Sequence, residues 1–554
     1  MTAQRPWHAS YEAGVPKEVD LTRYESMIEL LDHGFQEYPN RPCFSCMGKE
    51  YTYAEIDHMS QRMAAFLTGR LGMNKGDRIA IMLPNIHQYP IAFYGAIRAG
   101  LIVVNVNPLY TARELEHQLK DSGAITIVIL DNFAHVLEKI SKKVNLQHTI
   151  VTRMGDMLGF PKGAIVNGVV KYVKKLVPAW DLPDHWTFLG ALHEGEAHSF
   201  QSPKVTRDTT AFLQYTGGTT GVSKGAELTH GNLLANVEQA LAWIRPHVRV
   251  GQEVILTPLP LYHIFSMTAN CLTFFRIGGL NVLIPNPRDI KGFVKLWKKT
   301  KVTAMTGVNT LFNGLLNDPQ FASCDFSTLQ LTLGGGMAVQ KPVAERWQQV
   351  TGCALSQAYG LTETSPAVTI NPLSLKEFNG SIGLPVSSTE VSIRGEDFEE
   401  LPLGEAGELC VKGPQVMKGY WNRPDETENC MQDGWLKTGD IATMNAEGFV
   451  TIVDRKKDMI LVSGFNVFPN EVEEVIVEMD SVLEVAVVGV THEKSGEAVK
   501  AFVVKKEPNL TVEQVVEHCR SRLTGYKVPR FVEFRDDLPK TNVGKVLRRA
   551  LKDS

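Results

Sequence analysis

Short β-rich runs alternate with amphipathic stretches through most of the first 450 residues of this chain: Asp77–Leu83 (DRIAIML) reads as a strand, Gln88–Arg98 as a helix and Leu101–Val106 as the next strand. That rhythm predicts α/β units built around largely parallel sheets. From about Asp454 the pattern resets. A charged turn, DRKKD, leads into a helix-like NEVEEVIVEM, two strand-like runs, VLEVAVVGV and AVKAFVVKK, and a helix over Val512–Leu523. Roughly 100 residues with their own strands and helices suffice for a small α+β domain. A chain of 554 residues is longer than one hydrophobic core supports, so two units are expected, 1–454 and 455–554, with the break near Asp454–Asp458. No fixed-period repeat or low-complexity tract is evident.

Composition closes off several function classes. With 44% hydrophobic and 21% charged residues the chain has the balance of a globular protein. A net charge of -4 and no concentrated stripe of Lys and Arg argue against a dedicated nucleic-acid binder. The cysteines are scattered, and Cys43-x-x-Cys46 has no second pair or His at zinc spacing, so core cysteines in a reducing compartment are expected. The start, MTAQRPWHAS, lacks a basic segment followed by an apolar run, and no stretch approaches the roughly 20 apolar residues needed to span a bilayer. A cytoplasmic address follows. The segment Ala164–Pro183 (AIVNGVVKYVKKLVPAWDLP) interleaves apolar residues with Lys171, Lys174 and Lys175. Two readings compete for it: contact with an anionic membrane surface, or docking of its apolar face on the body of the protein, the commoner arrangement and the favoured one.

The segment richest in chemistry is Tyr215–His230, YTGGTTGVSKGAELTH, just after a strand-like TAFLQY. Gly217, Gly218, Gly221 and Gly225 let the backbone approach a ligand closely, Thr216, Thr219, Thr220 and Ser223 supply hydroxyls, and Lys224 supplies a cation. These groups suit a polyphosphate. The spacing matches neither the Walker loop nor the dinucleotide glycine fingerprint.

This loop resembles the phosphate loop of the adenylate-forming superfamily, which includes acyl-CoA synthetases, luciferases and peptide-synthetase adenylation domains. Further motifs follow in the family's order: YGLTETSP (Tyr359–Pro366), TGD (Thr438–Asp440), DRKKD (Asp454–Asp458) and PKTNVGK (Pro539–Lys545). The resemblance implies a large multi-sheet N-terminal α/β domain and a small mobile α+β C-terminal domain. It implies ATP and coenzyme A as co-substrates, and Mg2+ associated with Glu363 and Thr216. Tyr359, with Gly360 and Thr362 beside it and Gly334, Gly335 and Gly336 opposite, would hold the adenine, and Asp440 and Arg455 the ribose. As bare residues, Asp440 and Arg455 read equally as a surface ion pair. Lys545 resembles the lysine inserted when the acid attacks the α-phosphorus, where developing negative charge needs a cation. Lys457 falls at the family's hinge position, and Gly464 in the segment that lines its pantetheine tunnel.

The span Asp433–Lys457 resembles the fatty acyl-CoA synthetase signature, departing at Lys437, Ala442, Met444, Ala446, Val450, Thr451 and Val453. With the overall layout of bacterial long-chain fatty acid CoA ligases, a long alkyl acid is the first choice of substrate, ahead of an aryl or medium-chain acid. An apolar tunnel would draw on Pro258–Met267 and Leu272–Phe275. His263 resembles a position near the acyl pocket, although a lone His among apolar residues is more often a satisfied core residue. A peptide-synthetase adenylation domain is disfavoured, since such a domain feeds a carrier and only nine residues follow Lys545 here. A catalytically silent binding protein would be expected to lack Glu363 or Lys545. A homodimer and peripheral contact with the inner face of a membrane complete the partners expected.

Overall fold

The computed structural model describes residues 5–216, 223–462, 465–492, 495–541 and 544–552. The strand–helix–strand rhythm is realised nearly as read, with strands at Arg78–Met82 and Ile102–Asn105 flanking a helix at Gln88–Arg98 that is buried along its whole length. Strand Ile102–Asn105 pairs in parallel with Arg78–Met82 and with Thr210–Thr216. These strands belong to an eight-stranded sheet that includes a hairpin, where Thr210–Thr216 turns back through Lys224–Thr229. The glycine- and threonine-rich loop is the connection of that hairpin. Its strand arms hold Thr216 opposite Lys224.

A second sheet of nine strands carries Ala304–Gly307, Leu331–Gly334 and Leu355–Gly360 side by side, all parallel. Their C-terminal ends therefore open on one side of the sheet, where an open α/β sheet binds its ligands. Pro42–Cys46 pairs in parallel with Leu280–Leu283 of the same sheet. The N-terminal segment is also tied to distant parts of the chain: the Tyr11 hydroxyl donates to the Pro385 carbonyl at 2.6 Å, and the Ser387 hydroxyl to the Pro16 carbonyl at 2.6 Å. A third, five-stranded antiparallel sheet includes Trp435–Met444 and Val450–Arg455.

The last hundred residues build a separate sheet. Val482–His492 and Gly496–Lys505 form a long antiparallel pair, flanked by Ile460–Val462 and Phe531–Arg535. Helices Pro469–Val477 and Val512–Arg520 cover it, and Ile460, Val472, Ile476, Val487, Val503 and Val515 form its own core. The chain passes from the large body to this smaller domain between Arg455 and Ile460, in the DRKKD turn.

Three expectations fare differently. Seven of the eight cysteines are buried, Cys430 is partly exposed, and all are free thiols. Leu272–Phe275 is buried: Phe275 is fully covered, its ring 5.0 Å from that of Phe35, 4.9 Å from Tyr53 and 5.2 Å from Tyr94. The basic segment forms a helix at Lys162–Gly168, continued by a wider turn over Val169–Val173, but it does not dock by its apolar face. What faces the body is small and polar. A Cβ on Gly163 would lie 2.4 Å from the Gly155 carbonyl oxygen, and the Asn167 amide bonds Gly155 N–H and the Asp156 carboxylate. The apolar stripe Ile165, Val169, Tyr172 and Leu176 points into solvent.

The aromatic cluster around Phe275 sets a stability expectation. Phe275→Ala should cost about 3–5 kcal/mol, read as a lower urea midpoint for the large domain's unfolding transition.

Candidate functional site

The predicted residues converge where the C-terminal ends of the parallel strands meet the smaller domain. Leu331–Gly334 ends in Gly335 and Gly336, and Gly336 adopts a left-handed φ of 77°. A Cβ there would sit 3.9 Å from Lys545 Cε, which places the lysine side chain directly over the glycine turn. Gly544 allows this seating. Its φ is 85°, and a Cβ on it would lie 2.8 Å from Thr310 Oγ1 and 3.3 Å from Val308 Cγ2, so the backbone of the smaller domain presses on the large one through a residue that has no side chain.

Asp440 and Arg455 face each other across the antiparallel pair Trp435–Met444 and Val450–Arg455. The Arg455 guanidinium Nε is 3.1 Å from Asp440 Oδ1, and the other carboxylate oxygen accepts the Tyr359 hydroxyl at 2.5 Å. Asp440 is 3% exposed, so this is not the solvated surface pair that the bare residues allowed. Tyr359, on Leu355–Gly360, spends its hydroxyl on Asp440, and burial together with that carboxylate drives its own pKa far up.

Glu363 sits in a short helical turn, Thr362–Thr364, with Gly360 in the strand before it. Its carboxylate accepts the Tyr420 hydroxyl at 2.6 Å, and its carbonyl accepts Met417 N–H at 2.8 Å. The Lys224 ammonium lies 4.5 Å above the Tyr420 ring and 2.7 Å from Glu426. Thr216 ends the preceding strand, and its hydroxyl lies 3.5 Å from the Lys224 carbonyl. The Ser223 carbonyl accepts His117 Nε2 at 2.9 Å. Gly217, Gly218, Thr219, Thr220, Gly221 and Gly464 lie outside the described residues.

Electrostatics ties these groups together. Burial in the cleft, then Arg455, pulls the Lys545 ammonium down to about 8, against the opposing pull of Asp440 and Glu363. His263 is lowered to about 4 by burial and then by Lys545, so its imidazole is neutral. Its Nδ1 accepts Phe265 N–H at 3.3 Å, which gives it a capping partner at the turn Ile264–Ser266. Lys457, in the turn between the domains, is also lowered by burial and by Arg455. Gly336 therefore packs on Lys545, Arg455 pairs with Asp440, and Asp440, Glu363 and His263 all lie within electrostatic reach of the Lys545 ammonium. Sequence reasoning missed Tyr420 and Glu426, which lie in GYWNRPDETE, a stretch whose local signal is only a turn.

The site has a titration signature. In 13C-dimethylated protein, one lysine should titrate near pH 8, with Asp440→Asn moving that resonance to lower pH because the carboxylate holds the proton on.

Residues 31–421 match the model of the AMP-binding enzyme family, and residues 471–545 that of the AMP-binding enzyme C-terminal domain. The chain is 57% identical over 550 residues to a long-chain-fatty-acid–CoA ligase of Yersinia pestis, covering 99% of this chain and 98% of that one. A long-chain-fatty-acid–CoA ligase of Bacillus subtilis is 40% identical over 554 residues, covering 100% and 98%. A feruloyl-CoA synthase of an Amycolatopsis species is 34% identical over 508 residues, covering 90% and 93%. Among solved structures, ATP-bound MatB from Rhodopseudomonas palustris superposes with a TM-score of 0.81 at 27% identity, covering 95% of this chain and 98% of that one.

Proposed function

Because the chain belongs to the AMP-binding enzyme family, we propose that it joins long-chain fatty acids to coenzyme A in two steps, adenylation by ATP and then thioester formation. The observation that carries this reading is the seating of Lys545 over the Gly334–Gly336 turn, in one cleft with Glu363, Asp440 and Arg455. The long-chain choice rests on relatives of 57% and 40% identity over essentially the whole chain, against 34% for the feruloyl enzyme. A long alkyl tail would add about 0.8 kcal/mol of binding for each methylene buried.

In the first step a carboxylate oxygen attacks the α-phosphorus and the bond to the β-phosphate breaks, releasing pyrophosphate. The loop from Thr216 to Lys224 would cradle the β- and γ-phosphates, with Lys224 exchanging Glu426 for a phosphate oxygen. Asp440 and Arg455 would take the ribose hydroxyls, and Tyr359 with the glycine turn the adenine. Lys545 offsets the charge that grows as two anions meet. A magnesium ion would arrive on the phosphates and take Glu363 and Thr216 as its protein ligands, hard oxygen donors that suit it. That ion would draw charge from the phosphate oxygens. In the second step the coenzyme A sulfur attacks the acyl carbon and AMP leaves. We assign this step to another face of residues 455–554, presented by rotation at Lys457, with Gly464 beside the pantetheine arm.

Lys545→Ala is expected to abolish acid-dependent exchange of pyrophosphate into ATP while thioester formation from supplied hexadecanoyl-adenylate continues within about twofold. Equal loss of both half-reactions in a folded variant would refute this division of labour. Since Lys545 must carry its proton, and its pKa lies near 8, the kcat/KM of exchange should fall as pH rises through that value. AMP release measured with acids from acetate to oleate, and with coumarate, separates the long-chain reading from the aryl one.

The exposed helix supports a peripheral contact with an anionic membrane. Phe160 is 93% exposed, Tyr172 73% and Val173 74%, and Lys171, Lys174 and Lys175 are exposed beside them, with no acidic residue between Gly159 and Leu176. Such a face matches an interface helix, apolar residues below and ammonium groups at the phosphates. Among the described residues no helix is long and apolar enough to cross a membrane. Tyr172→Asp with Val173→Asp should abolish co-sedimentation with vesicles containing phosphatidylglycerol while leaving activity on detergent-dispersed acid intact.

A further inference from the structure

Asp454 is fully buried, although it stands at the end of the last strand of the large body, where its backbone pairs opposite Ile441. Its carboxylate is used on the far side of the turn. One oxygen accepts the N–H of Arg455 at 2.6 Å, and the other accepts the N–H of Asn470 at 2.9 Å. Asn470 lies in the first turn of helix Pro469–Val477, whose own N-cap position, Phe468, offers no side-chain acceptor. The first helix of the smaller domain is therefore capped by a carboxylate that belongs to the larger one, at the end where the helix dipole favours negative charge.

A second link runs the same way. Arg548, which opens the helix three residues after Lys545, holds both carboxylate oxygens of Glu473 at 2.8 Å and the Asn470 side-chain oxygen at 2.6 Å. Its remaining nitrogen, Nη1, lies 3.7 Å from Asp454 Oδ1 and 3.6 Å from Asp458 Oδ2. Arg548, three residues along the chain from Lys545, is thus braced to the capped helix within the smaller domain, and Asp454 fastens both to the large domain across the turn that contains Lys457.

We propose that Asp454 is a positioning residue for the first half-reaction: by capping helix Pro469–Val477 and facing Arg548 across the interdomain turn, it holds the smaller domain in the orientation that places Lys545 over the Gly334–Gly336 turn. This rests on the reading that Lys545 serves adenylation and that the domain turns at Lys457 before the thioester step. On that reading the Asp454 contacts belong to one orientation only. Rotation about Lys457 separates Asp454 from Asn470 and Arg548, so the cap favours adenylation and opposes departure from it.

The test is the pair of half-reactions in Asp454→Asn, which keeps the shape of the side chain and removes its charge. Pyrophosphate exchange is expected to fall tenfold or more, while thioester formation from supplied hexadecanoyl-adenylate stays within twofold of the wild type or rises. Equal loss in both, or undiminished exchange, overturns the proposal. If Asp454→Asn shows no cooperative melt, Arg548→Lys decides by the same split, since it keeps the charge and loses the fork that reaches both sides of the turn. Lys545→Ala run alongside separates the two levels: if it fails to split the half-reactions, the underlying reading is at fault, and if it splits them while Asp454→Asn does not, only the positioning role falls.

Discussion

A buried ammonium group seated over a glycine turn, within the electrostatic reach of two carboxylates and a guanidinium, is the arrangement on which everything else here depends. Lys545 gives up hydration to reach the Gly334–Gly336 turn, and only Asp440 and Glu363 favour its charge there. The balance leaves its pKa at about 8, well below that of an ordinary lysine. A triphosphate would shift it decisively toward the protonated form. On the proposed reading, the groups that would bind the nucleotide also set the charge of the lysine beside it. The proposed two-step reaction would also give the division of the chain into two bodies a reason, because a cation that must arrive for one step and leave for another cannot sit on a fixed strand.

Much of the fold could be read from periodicity. Asp77–Val106 was legible because buried parallel strands are nearly continuous apolar runs, separated here by one well-bounded helix. The reset at Asp454–Asp458 was visible because a charged turn carries no apolar face for either core. The cleft was legible in part. Glycines, hydroxyls and the C-terminal lysine announce themselves by residue type, and Asp440 with Arg455 by motif. Tyr420 was not legible, because its position against Glu363 and Lys224 is created by strand Gly419–Tyr420 pairing with Lys224–Thr229, a contact between residues about two hundred positions apart.

Two apolar segments show what residue type leaves open. Apolar character shows that a side chain avoids water and leaves its companion unspecified. Leu272–Phe275 found Phe35, Tyr53 and Tyr94, and so became core. The stripe on Lys162–Val173 is exposed among the described residues, because Gly163 and Asn167 turn the opposite face inward.

The placement of Pro42–Cys46 bears on how the molecule is made. This strand emerges early in synthesis, yet its parallel neighbour, Leu280–Leu283, lies some 237 residues further on. At 5–20 residues per second the ribosome needs roughly ten to fifty seconds to deliver it. During that interval the nascent strand can pair only with Lys49–Thr52, leaving its other edge and its apolar face unprotected. The anchoring of Tyr11 and Pro16 near residues 385–387 extends the wait further. The large domain is therefore sealed late, well after its local helices can form.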